Sequence, residues 1–132
     1  VLRMLPAGRM RNIWIGITAG CHDTLAEAAR HLIDLKQQSV MKTGVEKVFL
    51  VCEPLIGPIN LNGYGYLFDW VVCGGESGKE CRKMNPSWAK NLLDQCDDRG
   101  IPFFMHQMGG HPNRLDQWMD LDPRLMNREF PE

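Results

Sequence analysis

Val45-Glu46-Lys47-Val48-Phe49-Leu50-Val51-Cys52 decides the fold of this chain. Four consecutive apolar residues, Val48 to Val51, follow a charged pair and stop at a thiol. A run this short and unbroken predicts a strand buried on both faces, the pattern of a parallel rather than an antiparallel sheet. Parallel neighbours need a long crossover, usually a helix, so helices are expected on either side of this strand.

Upstream, Leu25, Ala28, Ala29, Leu32 and Ile33 recur at helical spacing, which predicts a helix over Thr24 to Gln38. Thr24 with Glu27 three residues later matches a capping box. Residues 39 to 44 form a loop ending at Gly44. Before the helix, Ile13, Ile15 and Ile17 alternate, so residues 12 to 18 form another strand, followed by the turn Gly20-Cys21-His22-Asp23. Downstream, Pro54, Gly57 and Pro58 break regular structure, and residues 53 to 69 show no helical period. Trp70 to Cys73 is a short third strand that ends in Gly74-Gly75. Asn85-Pro86 reads as an N-cap with proline at the first helical position. That helix runs to about Arg99, burying Trp88, Leu92, Leu93 and Cys96, with Gly100 just beyond its end. Ile101 to Met105 is the fourth strand. The tail carries Leu115, Trp118, Met119 and Leu121 without a period, a wrapping segment with a short helix.

Strands alternating with helices predict an α/β fold with a parallel sheet and right-handed crossovers. Four strands do not close a barrel, which takes about eight. The expected architecture is therefore a partial (β/α) barrel or a small open sheet. Residues 1 to 132 are read as one domain, with 1 to 11 and 111 to 132 peripheral. The opening residue is Val1 rather than Met, as in a fragment or a processed chain.

Fifteen basic residues against sixteen acidic ones leave a net charge of -1, so no global footprint for nucleic acid or anionic lipid exists. A local patch of Arg3, Arg9 and Arg11 reads as a solvated terminal segment. No apolar run approaches the ~20 residues of a membrane span, and no signal peptide opens the chain. Five cysteines without Cys-x-x-Cys spacing argue against disulfides and zinc ribbons and for a reducing compartment, the cytoplasm. Most of them read as buried free thiols.

Polar residues collect where strands end. Thr18, Cys21 and His22 follow the first strand, Glu53 the second, Gly74-Gly75-Glu76-Ser77-Gly78 the third, and His106-Gln107 the fourth. Parallel α/β sheets bind ligands at that carboxyl edge. Glu53 and Glu76 are the candidate catalytic residues. Neighbouring strands lie ~4.8 Å apart, so two carboxylates at their ends can share a site for acid–base work, a cation or a ligand amine. Gly74 and Gly75 allow close backbone approach to a ligand. Glu76, Ser77, Arg82, His106 and Gln107 complete the candidate cofactor-binding set. Gly-Gly-Glu-Ser-Gly is neither a dinucleotide fingerprint nor a Walker loop. His106 and His111 are read as hydrogen-bonded rim residues rather than a metal pair, His31 as a solvent-facing helix residue, and no metal site is expected.

Three runs carry a resemblance. Val51-Cys52-Glu53-Pro54-Leu55-Ile56-Gly57-Pro58-Ile59, Asp69-Trp70-Val71-Val72-Cys73-Gly74-Gly75-Glu76-Ser77-Gly78, and Asp94-Gln95-Cys96 with Ile101-Pro102-Phe103-Phe104 resemble, in order and spacing, the phage Gp37/Gp68-like (DUF5131) family. Asn12-Ile13-Trp14-Ile15-Gly16-Ile17 also fits that family's Asn-Val-Trp-Leu-Gly-Val segment. The resemblance spans residues 12 to 110. It implies a divergent radical S-adenosylmethionine (SAM) group, in which this chain supplies the later units of a barrel. Fuller members carry an N-terminal cysteine cluster expected to hold a 4Fe-4S cluster; this chain has no such triad, so no cofactor is expected on it alone and SAM and 4Fe-4S are expected of a longer parent. Where the family shows a lysine and Gln-Trp-Gly, this chain has His106-Gln107-Met108-Gly109. Where the family shows Gly-Pro-Gly-Ala-Arg-Pro, it has Gly78-Lys79-Glu80-Cys81-Arg82-Lys83, so Arg82 alone carries over. Three functions stay open: the C-terminal half of a radical SAM-like enzyme, a non-catalytic phage-derived binding or assembly module, and a hydrolase using Glu53 and Glu76 as a carboxylate pair. Exposed edge strands favour a homo-oligomer.

Overall fold

The computed structural model describes residues 13–37, 45–110 and 122–132. β1 spans Ile13–Thr18, α1 His22–Gln37, β2 Val45–Cys52, β3 Trp70–Gly74, α2 Pro86–Asp97 and β4 Phe103–Gln107. Short 3-10 turns occur at Gly65–Leu67 and Pro123–Met126. The four strands are parallel and lie in sequence order, an open sheet that does not close.

That order has a physical consequence. When each right-handed crossover steps to the next strand in the same direction, every connection packs on the same face of the sheet. Leu25, Ala29 and Leu32 of α1 and Ala89, Leu92, Leu93 and Cys96 of α2 therefore share one core with Val48, Leu50, Cys52, Val71, Cys73, Phe103 and Met105 of the strands. A barrel winds its wall in this way. The β2–β3 crossover lacks an α-helix; Leu55, Ile59, Leu61, Leu67 and Phe68 of loop 53–69 fill its place in the core. Gln95 of α2 pins this loop, accepting from Leu61 N–H at 2.7 Å and donating to the Ile59 carbonyl at 2.8 Å.

Several expectations need adjustment. The Val48–Val51 run is buried by helices on one face only; Phe49 and Val51 are half-buried on the other. There the aromatic rings cover one another: Trp70 packs against Trp14, Phe49, Phe104 and Phe130 with centroids 5.3 to 6.2 Å apart. Gly16 is where the Phe49 ring lies down, since a Cβ there would stand 2.5 Å from it. α1 begins at His22, so Thr24 sits inside the first turn rather than capping it. Its hydroxyl reaches back to accept from the Gly20 and Cys21 N–H groups, both at 3.1 Å. α2 starts as expected, with the Asn85 side chain accepting from Ser87 N–H at 3.0 Å, but it ends at Asp97 and leaves Trp88 only half-buried. β4 starts two residues late because Pro102 has no N–H to donate and contributes only its carbonyl, to Val71. His106 and Gln107 are thus the last residues of β4 rather than the first of a loop.

Leu125 in the second 3-10 turn is buried, and the chain then runs antiparallel along the outer edge of β4. Met105 N–H donates to Asn127 and Glu129 N–H to Phe103. The tail anchors Leu115, Trp118, Met119 and Leu121, the Arg3–Arg9–Arg11 patch and loop 39–44 lie outside the described residues, as does His111. Among the described residues no helix is long and apolar enough to cross a membrane.

Candidate functional site

The carboxyl edge is built on what glycine omits. Glu53 leaves β2 across a cis peptide to Pro54, on the sheet face that bears the aromatic rings. Its side chain lies over Gly74 of β3, where a Cβ would come within 2.6 Å of the Glu53 carboxyl carbon. Passing over β3, the carboxylate reaches β4. His106 Nδ1 stands 2.9 Å from both carboxylate oxygens, and Gln107 Nε2 donates to Oε1 at 2.7 Å. Residues from three adjacent strands thus meet at one carboxylate. Glu53 is mostly shielded, whereas the His106 side chain is 56% exposed, so the open side of the cluster is the imidazole.

Past the strands the ladder continues. Gly75 N–H donates to Gln107 O at 2.8 Å, Gly110 N–H to Glu76 O at 2.9 Å, and Ser77 bridges Gly110 in parallel. The two segments approach so closely that any side chain at Gly75 would strike the Met108 carbonyl. Ser77 is exposed beside this crossing.

Glu76 is engaged differently from Glu53. Arg82 grips it bidentately, Nε to Oε2 at 2.7 Å and Nη2 to Oε1 at 3.0 Å, and the Arg82 N–H adds a third bond at 2.9 Å. The Arg82 side-chain hydrogen bonds, then its backbone bond, pull the Glu76 carboxyl from its ordinary 4.5 down to about 2. A depressed carboxyl contributes stability above its unfolded value and loses it as pH falls through the folded one. Loop 76–82 is therefore expected to stay closed from neutral pH down to about 4 and to open as pH drops toward about 2. A carbon-detected titration of the Glu76 carboxyl, with the Arg82 Nε proton followed in parallel, checks this. A midpoint near 4.5 would mean that the pair is not formed in solution.

The structure thus brings Glu53, Gly74, His106 and Gln107 together, and sets Glu76 and Arg82 against each other in the loop after β3. It does not place His22 with them: its ring lies tilted against Tyr64, with centroids 6.1 Å apart. The contact between Glu53 and His106 escaped sequence reasoning, although alternation along β2 and β4 was the available signal for a shared face.

A groove of about 850 Å³ opens at the opposite, amino-terminal end of the strands, beside Lys47, Tyr66, Asp69, Arg99 and Glu129. Its polar groups serve the fold. Asp69 accepts from Val48 N–H, Glu129 from Phe103 N–H, and Arg99 donates to Gln95 O and Asn62. The carboxyl edge is therefore the better candidate, because its imidazole has a face left for a ligand.

The cysteines do not fit an iron–sulfur cluster. Cys52, Cys73 and Cys96 are buried in the core, and burial pushes the first two thiols far above the usual range and Cys96 up to about 12. Iron–sulfur ligation needs thiolates. Cys21 and Cys81 are half-buried on separate segments; hydrogen bonds from Thr24 lower the Cys21 thiol. Among the described residues no group of three or more metal-ligating side chains converges.

These observations define a class: an arc of singly wound α/β sheet with polar side chains gathered at its carboxyl edge. The chain belongs to the DUF5131 family of proteins of unknown function, whose family model matches residues 2–129. No curated protein and no solved structure matches it significantly.

Proposed function

We propose that this chain forms the small-ligand edge of a barrel-type α/β enzyme, with Glu53, His106 and Gln107 at its centre and Gly74, Gly75, Ser77 and the Glu76–Arg82 loop at its border. One observation carries the reading: Glu53 crosses Gly74 to reach β4, and so gathers three strand ends into one polar cluster with an exposed imidazole. SAM is the ligand implied by the resemblance to a radical SAM-like group. An edge carboxylate suits its amine or ribose hydroxyls. The iron–sulfur part of that chemistry finds no fitting thiolates on this chain, so no step is assigned to it.

Isothermal titration with SAM tests the reading. Binding by the native chain is expected, and Glu53→Gln weakens it about tenfold, the worth of one hydrogen bond to a charged group. The melting temperature should hold, since the amide keeps the shape of the carboxylate. No heat with SAM in the native chain, or equal affinity in Glu53→Gln, overturns SAM as the occupant of this edge.

The hydrolase reading is weaker. Held ionised by Arg82, Glu76 has no proton to give at neutral pH, so it does not suit the acid half of a carboxylate pair. The assembly reading has its own support, since Trp14 and Phe130 stay 42% and 64% exposed on the aromatic face of the sheet.

A further inference from the structure

An imidazole has two nitrogens, and the Glu53 cluster commits only one. Nδ1 of His106 lies against both carboxylate oxygens at 2.9 Å. Glu53 is itself anchored from the other side by Gln107 Nε2 at 2.7 Å. A carboxylate can only accept, so it fixes the neutral ring's proton on Nδ1 and leaves the lone pair on Nε2. A histidine held at one nitrogen by a shielded carboxylate and free at the other is the arrangement general bases use. Surface ion pairs do not need a third residue to orient the acid, nor a glycine on the intervening strand to let it pass.

We infer that Glu53 and His106 form a proton-transfer dyad. His106 is the catalytic residue, Glu53 the positioning residue, and the substrate is a ligand that presents a hydroxyl or a water at the carboxyl edge. The step balances on the chain's own atoms. Nε2 takes the proton from the ligand O–H, the electron pair stays on the ligand oxygen as the nucleophile, and the imidazolium charge is met by Glu53, which remains ionised. The proton returns from Nε2 to the leaving group or to solvent. Glu53 is the charged group touching the ring; Glu76 and Arg82, on the neighbouring loop, neutralise each other. The inference rests on the carboxyl edge being the ligand site, but not on SAM being the ligand.

Diethyl pyrocarbonate gives a test that needs no substrate. It transfers an ethoxycarbonyl group to an unprotonated, accessible imidazole nitrogen, and peptide mass spectrometry separates the histidines. His22 and His31, both exposed, serve as internal controls. At about pH 8.5, where ordinary imidazoles are unprotonated, His106 is expected to react several-fold faster than either, because the carboxylate on Nδ1 makes Nε2 more electron-rich, and Glu53→Gln should bring it to their level. Nitrogen-15 spectra of the native chain should show the neutral His106 ring protonated on Nδ1, a readout that stands even if the variant fails to fold. A ring protonated on Nε2, or a His106 rate equal to that of His22 and His31, overturns the dyad. Failure of the SAM titration with success here would leave the dyad intact and change only the ligand. SAM binding with failure here would leave a binding edge without proton transfer.

Discussion

Replacing Gly75 by alanine is expected to cost about 3 kcal/mol of folding stability or more. Most overpacked sites relieve themselves by turning a side chain, and Gly75 has no such escape. Its added methyl would meet the carbonyl of Met108, which is backbone, with Gly109 N immediately behind. Gly75 is buried, and its own N–H is bonded to Gln107 O at 2.8 Å, so moving it away breaks the ladder that carries β3 and β4 past their ends. Stability of a domain this size is of order 5–15 kcal/mol, so one methyl removes a large part of it. Urea denaturation of Gly75→Ala against the native chain measures the loss, with the exposed Ser77→Ala as a control near zero. A midpoint shift no larger than the control's would mean that residues 75 and 108 do not cross as described.

The second large effect falls on β4. Phe103 is wholly buried and, among the described residues, the largest of the fully enclosed side chains, and Phe103→Ala is expected to cost about 3–5 kcal/mol, by the usual range for aromatic-to-alanine changes in a core. In melting temperature that is roughly 10 °C or more. Phe103→Leu keeps most of the volume and should cost under about 1.5 kcal/mol. The neighbouring Phe104 gives the comparison that matters. It points to the other face, where it is half-buried against Trp70 and Phe130, so Phe104→Ala should cost clearly less. Equal losses at both positions, read by thermal melts, would show that the aromatic face is as thoroughly covered in solution as the helical one.

How far the sequence can be read depends on how local the deciding interaction is. β2 was legible to its exact bounds because charged, apolar and thiol residues change abruptly at both ends. The start of α2 was legible because Asn85 and Pro86 act on the next one or two residues. β4 was displaced because Ile101 is as apolar and as buried as a strand residue, and only the missing N–H of Pro102 marks where pairing begins. The start of α1 was misplaced because a threonine hydroxyl can serve the first turn from inside it as well as from its cap. The carboxyl edge as a region was legible from the polar residues that follow each strand. The pairing within it was not, since Glu53 and His106 lie 53 positions apart and their contact depends on β3 offering a glycine between them. Burial on one face rather than two was also hidden, because a ring shielded by other rings and a ring shielded by a helix leave the same apolar letters in the chain.

The pairing of Asn127 to Glu129 with β4 sets the direction in which this architecture can be extended. An antiparallel segment occupies the outer edge of β4 and turns that margin of the sheet into a terminus. A further parallel unit would have to displace it to dock there, giving up the Met105 and Glu129 backbone bonds and the Glu129 carbonyl's bond to the Trp70 indole. Among the described residues no strand pairs with the outer margin of β1, so growth of the wall is biased to that side and the arc has a polarity, with a finished end at β4.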